Sequence, residues 1–125
     1  MKQISLSDNE WKLMGRLWER SPRTIMELTA DLREETGWSN YSIITLLSGG
    51  EAMGGVGHVV GAGAMAYYPC EDRETAARAE TESFLGKVYG GSLGLLVSAM
   101  VESRALTEED LAELSAILEK GGEKP

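Results

Sequence analysis

The stretch from residue 38 to 69 constrains the fold most strongly, because its apolar pattern changes period across a glycine-rich segment. It opens as WSNYSIITLLS and closes as HVVGAGAMAYYP. Seven of the 15 glycines of the chain fall between residues 49 and 63. Apolar residues at helical spacing, followed by apolar residues at every second position, predict a helix and then a two-stranded β-hairpin.

In the first part of this stretch, Ser39 can cap a helix whose apolar side is formed by Ile43, Leu46 and Leu47. The polar residues between them project elsewhere. In the second part, two alternating segments flank Gly61-Ala62-Gly63. This pattern predicts a hairpin that turns at these three residues and ends at Pro69.

Two further helices are predicted before this stretch. Ser7 to Glu10 and Thr24 to Glu27 each have the spacing of a capping box, and apolar residues recur behind both at helical intervals. The expected helices cover residues 8–20 and roughly 25–35, with Trp11, Trp18 and Trp38 in the core. Three short helices with a tight second connection indicate a helix-turn-helix, whose last helix enters the DNA major groove.

The remainder of the chain has the pattern of a helical arm. We expect a helix from residue 72 to about 87, with Ala76, Ala79, Phe84 and Leu85 buried, then a break at Gly90-Gly91. A helix capped by Ser92 and a last helix from Thr107 follow. Their apolar stripes must pack on something, and a second copy of the same arm is the economical choice. The predicted interface consists of Phe84, Leu85, Val88, Leu93, Leu96, Val97, Met100, Val101, Leu111, Leu114, Ile117 and Leu118.

The predicted fold class is therefore mostly α. A winged helix-turn-helix domain with a small hairpin wing occupies residues 1–70, and a three-helix dimerisation arm occupies residues 71–125. The predicted partners are double-stranded DNA and a second copy of the chain.

Composition argues against several other classes. The single cysteine, Cys70, excludes an intrachain disulfide and a cysteine-built zinc site. The longest apolar run, residues 93–101, is too short to cross a bilayer, so we expect a cytoplasmic protein with no membrane contact. One histidine cannot supply a nucleophilic or acid–base set, and no phosphate-binding glycine motif is present. No enzyme activity, metal or cofactor is predicted.

Charge is distributed unevenly. Residues 1–37 contain six Lys and Arg against seven Asp and Glu, whereas residues 38–69 contain only Glu51. Residues 70–125 contain six against twelve, and the whole chain has a net charge of −8. Nucleic-acid-binding proteins usually carry a basic face, so the predicted DNA-contacting stretch has unusually little positive charge.

The chain resembles the penicillinase-repressor (BlaI/MecI/CopY) family of winged-helix transcriptional repressors from end to end. The matching segments include LSDNEWKLMGRLWERSPRTIMEL, WSNYSIITLLS, AYYP, ETESFLGKVYGGSLGLLVSAMVES and LTEEDLAELSAIL. The resemblance implies a dimeric repressor on a palindromic promoter element that controls β-lactam resistance or copper homeostasis. It also implies that a protease releases the penicillinase-type members by cleaving the C-terminal arm.

The chain departs from the family pattern at several positions. Gly49-Gly50 replaces an arginine and an apolar residue, Met53 replaces a lysine, Ala62-Gly63 replaces Gly-Arg, and Met65 replaces an aromatic residue. Because three cations are missing, the alternative function is that of a DNA-binding-impaired member that acts as a dimerisation or regulatory partner. Ala99-Met100 stands at the family's Asn-Phe cleavage point, and the paired C-terminal cysteines of the copper-sensing members are absent.

The candidate DNA contacts combine the start of the second helix, the third helix and the wing tip. Arg23 and Thr24 suit a backbone phosphate near a helix N-terminus, although a capping threonine beside a solvated arginine explains them equally well. The polar side of the third helix could contact bases or simply face water, and His58 is expected to be structural or solvent-facing. The predicted contacts are Arg23, Thr24, Ser39, Asn40, Tyr41, Ser42, Thr45, Ser48, Ala62 and Gly63.

Overall fold

A computed structural model describes residues 6–61 and 63–122. The chain is mostly helical with one small sheet, as predicted, and it divides into two compact units, of which the first ends at Thr81 and the second begins at Glu82. The predicted domain division at residues 70 and 71 stays a prediction. The elements in chain order are α1 (Asp8–Glu19), β1 (Arg23–Thr24), α2 (Ile25–Thr36), α3 (Asn40–Ala52), β2 (Val56–Gly61), β3 (Ala64–Pro69), α4 (Arg73–Tyr89), α5 (Leu93–Glu102) and α6 (Glu108–Gly122).

The predicted helix starts in the first unit are confirmed by their capping hydrogen bonds. The Glu10 amide donates to Ser7 Oγ over 3.2 Å, and the Ser7 amide donates back to Glu10 Oε1 over 2.8 Å. Thr24 and Glu27 form the same reciprocal pair, which lowers the pKa of the Glu27 carboxyl because the Thr24 amide stabilises its charged form. Ser39 Oγ caps α3 by accepting from the Ser42 amide over 3.3 Å.

The core of the first unit lies where α1, α2 and α3 meet, and the sheet closes it with Val56 and Tyr67. Three tryptophans predicted for the core are only half-buried; Trp18 donates from Nε1 to the carbonyl of Glu71 over 2.8 Å. Six large side chains are 2% exposed or less, and truncating such a residue to alanine typically costs about 2–5 kcal/mol of folding free energy. They are Leu13, Leu17, Leu28, Leu32, Ile43 and Leu47.

The predicted two-stranded hairpin is part of a three-stranded antiparallel sheet with the order β1-β3-β2. Strands β2 and β3 pair from Val56↔Pro69 to Gly61↔Ala64, so the chain reverses between Gly61 and Ala64. Gly63 has a φ of +80°, which favours glycine. The extra strand was missed because β1 has only two residues and therefore no periodicity; it pairs Arg23 with Tyr67 and Thr24 with Ala66.

Two consecutive glycines lie inside α3, which continues through them to Ala52. Gly50 is buried, and a Cβ atom there would lie 2.9 Å from Cγ2 of Val56. By contrast, a Cβ on Gly49 would meet only Glu10 Oε2, at 3.8 Å. Gly50 therefore permits β2 to approach α3 closely, while Gly49 has no comparable packing role.

The described part of the second unit has no buried interior. Among residues 82–121, none is buried, although Ser92 caps α5 as predicted and Thr107 forms a reciprocal capping pair with Asp110. Ala76, in the first unit, is buried as expected, and Ala79 is half-buried. The burial predicted for Phe84 and for the stripe of α6 is not found within one chain, because α5 and α6 have too little surface to cover it.

No single helix in the ranges 6–61 and 63–122 is long and apolar enough to cross a membrane. The consecutive helices α4 and α5 reach the required length and hydropathy only when they are taken together, and the chain bends sharply between them.

Matched substitutions of the two α3 glycines test the role of Gly50. Gly49→Ala should raise the free energy of unfolding by about 0.5–1 kcal/mol, because alanine favours the helix over glycine. Gly50→Ala should give no such gain, because its new methyl group must displace Val56. Urea denaturation of both variants at one protein concentration provides the comparison, and equal stabilisation by both would contradict this packing.

Candidate nucleic-acid interface

Helix α3 presents one continuous exposed face beside the buried side that carries Ile43 and Leu47. Ile43 and Leu47 pack against α1 and α2 and are at most 1% exposed. Tyr41 is 77% exposed and Ile44 is 43% exposed. We call this exposed surface the α3 face; it consists of Asn40, Tyr41, Ile44, Thr45 and Ser48.

Several predicted contacts in α3 also make hydrogen bonds within the helix. Ser39 Oγ caps the helix and lies 3.4 Å from Ser42 Oγ, and Ser42 is half-buried. Thr45 Oγ1 donates to the carbonyl of Tyr41 over 3.0 Å, so its hydroxyl proton is already used. Ser39 and Ser42 are therefore engaged at the N-terminal cap of α3, whereas Asn40, Tyr41 and Ser48 project outward.

Arg23 lies inside the protein. It is 6% exposed, its Nη1 atom lies 2.9 Å from Asp31 Oδ2, and the same nitrogen donates to the carbonyl of Arg16 over 3.4 Å. The sheet register explains the burial, because Arg23 pairs with Tyr67, which is itself buried. This placement contradicts the solvated-arginine alternative and gives the guanidinium a carboxylate partner in place of phosphate. Thr24 caps α2, as one of the two alternatives predicted.

The wing ends in apolar side chains. Val60 pairs with Met65 across the strands beside the turn, and Val60 is 74% exposed. Nearer the core, Tyr68 lies across Gly57, where a Cβ atom would come within 2.6 Å of the tyrosine hydroxyl. Gly63 is exposed in the turn, and Ala62 lies outside the described residues. Apart from its backbone, the described part of the tip offers little that could bind a phosphate.

The one acidic residue of the stretch, Glu51, is hydrogen-bonded to His58 between the end of α3 and the start of the wing. Its Oε2 atom lies 2.5 Å from His58 Nδ1, and both side chains are about one-third exposed. The imidazole also lies beside Tyr67, with ring centroids 5.9 Å apart. Burial raises the pKa of the Tyr67 hydroxyl, and the charge of Glu51 raises it further. The prediction that His58 is structural or solvent-facing fits both observations.

Across residues 6–61 and 63–122, no group of three His, Cys, Asp or Glu side chains is placed to hold a metal ion.

Sequence reasoning missed two features of this surface. Ile44 was not assigned to the exposed face, although it lies in the same helical row as the polar residues Asn40 and Ser48, four residues from each. The Glu51–His58 pair was missed because the residues belong to different elements. Ile44 could have been found from helical spacing, whereas the pair required the three-dimensional structure.

The geometry defines a winged helix-turn-helix protein: three packed helices, a short connection from α2 to α3, an exposed face on α3 and a hairpin wing after it. The model of the penicillinase repressor family matches residues 6–120. The penicillinase repressor of Bacillus licheniformis is 30% identical over 121 residues, which cover 96% of this chain and 94% of that protein. The chain belongs to the penicillinase repressor family, whose members are DNA-binding regulators and not enzymes.

Two further similarities agree with this assignment. The methicillin resistance regulatory protein MecI of Staphylococcus aureus (strain N315) is 24% identical over 119 residues, covering 95% of this chain and 97% of that protein. The solution structure of the DNA-binding domain of the repressor BlaI matches with a TM-score of 0.54 and 26% identity, covering 59% of this chain and 90% of that one.

The role of Arg23 can be tested by Arg23→Met. Removing one partner of a buried ion pair typically costs about 3–5 kcal/mol, and we expect about 1–3 kcal/mol here because the Asp31 side chain is one-third exposed to solvent. Urea denaturation measures the loss, with Arg20→Met, an exposed arginine just before β1, as the control. A variant of unchanged stability that binds DNA more weakly would instead identify Arg23 as a phosphate contact.

Proposed function

We propose that the chain is a homodimeric transcriptional repressor that binds a palindromic DNA operator through the α3 face. The observation that carries the proposal is the exposure of Asn40, Tyr41 and Ser48 on the third helix of a winged-helix fold. In helix-turn-helix proteins this helix lies in the major groove and its N-terminal residues reach base edges. The capped N-terminus of α3, which begins at Asn40, suits that position.

The second half of the proposal is a two-fold dimer formed by the arm. The apolar residues of α5 and α6 remain accessible in one chain; Met100, for example, is 40% exposed. A second copy is the proposed occupant because two identical stripes can meet about a two-fold axis. In addition, dimeric helix-turn-helix proteins bind half-sites about 34–36 Å apart or a multiple of that. The proposed interface consists of the twelve apolar residues predicted from the sequence of the arm.

The names of the relatives suggest what is regulated. One is a penicillinase repressor and another a methicillin resistance regulatory protein, so we propose that the operator controls a β-lactam resistance gene or a related stress response. Such a repressor acts in the cytoplasm, where its DNA lies. Release by a protease that cleaves the arm remains a prediction; residues 99 and 100 lie within α5.

One observation favours a second candidate function. Residues 38–69, which include α3 and the wing, contain no Lys or Arg, and each phosphate contact normally contributes about 0.9 to the slope of log affinity against log salt. A chain that lacks those contacts could act as a DNA-binding-impaired family member that pairs with an intact repressor. In that case the arm supplies the function and the α3 face does not contact DNA.

The dimer proposal predicts that Leu96→Asp and Met100→Asp yield monomers, because each places a charge in the proposed apolar contact. Both variants should also lose operator binding, since two linked reading helices bind more tightly than one. Sedimentation measures the change, and Ser98→Asp on an exposed polar position of the same helix is the matched control. Variants that sediment as the unchanged dimer would count against this interface.

The missing cations can be tested by Met53→Lys, because Met53 is exposed at the C-cap of α3. If α3 lies on DNA, one new phosphate contact per subunit should increase the salt slope by roughly 0.9 per subunit and raise affinity at low salt. Gel shifts against the segment upstream of the chain's own gene, at two salt concentrations, measure both. Met53→Gln is the neutral control.

Two outcomes of that gel shift would favour the second candidate. The first is an absence of sequence-preferring binding by the natural chain at either salt concentration. The second is a gain for Met53→Lys that is the same on unrelated DNA, which would mean that the lysine adds only general electrostatic attraction.

A further inference from the structure

The α3 face has an apolar centre. Asn40, Ile44 and Ser48 follow one another at intervals of four residues and so form one row along the helix, with Tyr41 and Thr45 as the neighbouring row. Ile44 occupies the middle of the first row with 43% of its surface exposed. Any duplex that lies on this face therefore meets a branched aliphatic side chain between two polar ones.

We propose that Ile44 is a specificity-determining residue that contacts the 5-methyl group of thymine, and that α3 is directed to A·T base pairs. The inference rests on the proposed function, since it requires α3 in the major groove. Arg and Lys make the commonest specific contacts to guanine, whereas an aliphatic side chain suits the thymine methyl group. Residues 40–52 contain no Arg or Lys with which to read guanine.

The neighbours of Ile44 support the same base preference. The Asn40 side chain is exposed and can bond adenine at N6 and N7 together. Thr45 Oγ1 donates its proton to the Tyr41 carbonyl, so Thr45 has no hydroxyl proton left for a base. Its oxygen can still accept a hydrogen bond.

The spacing of the row predicts the arrangement of the bases. Four residues of helix rise about 6 Å, and one base-pair step rises about 3.4 Å. Since a helix in the major groove is inclined to the DNA axis, the adenine contacted by Asn40 and the thymine contacted by Ile44 should lie within about two base pairs of each other in each half-site.

A duplex library with a randomised centre provides the test, because the chain itself then selects the sequences that it binds. The full-length chain is used for the selection, and each thymine of a selected site is then replaced singly by uracil, which lacks only the 5-methyl group. Fluorescence anisotropy at one fixed salt concentration gives the affinity ratio between the thymine and uracil duplexes. The ratio is measured for the natural chain, Ile44→Ala, Ile44→Val and the control Ser48→Ala, with circular dichroism to verify folding.

At one thymine per half-site, uracil should weaken binding of the natural chain roughly fourfold, as expected for one buried methyl group. Ile44→Ala should abolish that ratio, while Ile44→Val and Ser48→Ala retain it, whatever their overall affinities. The proposal is overturned if the ratio is unchanged in Ile44→Ala, or if the selected half-sites contain no thymine; DNA binding itself would then still stand. Failure of the natural chain to select any sequence would overturn the proposed function together with this inference.

Discussion

The packing of Ile43 and Leu47 into the three-helix core is the constraint on which the rest of the molecule depends. These two side chains are at most 1% exposed, and they fix the rotation of α3 about its own axis. With α3 held in this orientation, Asn40, Ile44 and Ser48 remain exposed together in the neighbouring row of the helix. Gly50 continues the buried side and admits Val56 of the first wing strand. The buried side of α3 thus positions the exposed helix face and also packs against the first strand of the wing.

The surface built on this core is unusual in its electrostatics. Arg23 is internal and paired with Asp31, and the single carboxylate of residues 38–69 is paired with His58. The α3 face therefore presents amide and hydroxyl groups and an apolar centre to a duplex. It has little long-range electrostatic attraction for phosphate. Phosphate contacts normally supply much of the affinity of such proteins, and base contacts supply the specificity. The proposed dimer would offset a weak contact at each half-site, because two linked contacts bind more tightly than one.

Much of this architecture could be predicted from the sequence because it follows local rules. Capping boxes at Ser7 and Thr24 and the alternation around Gly63 specified helix starts and the hairpin within a few residues. Two of the features that escaped prediction depend on contacts between distant segments: the two-residue strand β1 pairs with β3, and the burial of Arg23 follows from that pairing. Phe84 was expected in the interior, but its helical periodicity could not distinguish burial within a chain from burial between chains. The site residues remain predictions, because periodicity identifies an exposed face and not its ligand.

Contact between the α3 face and DNA can be tested by NMR titration of the isotope-labelled full-length chain with a selected duplex. The amide signals of residues 40–48 and the methyl signals of Ile44 should shift most, and the Ile44 methyl protons should show contacts to thymine methyl protons. Signals of the buried Leu13 and Leu28 should change little. A duplex that left the α3 signals unchanged, or that shifted only residues on other surfaces, would show that the α3 face does not contact DNA.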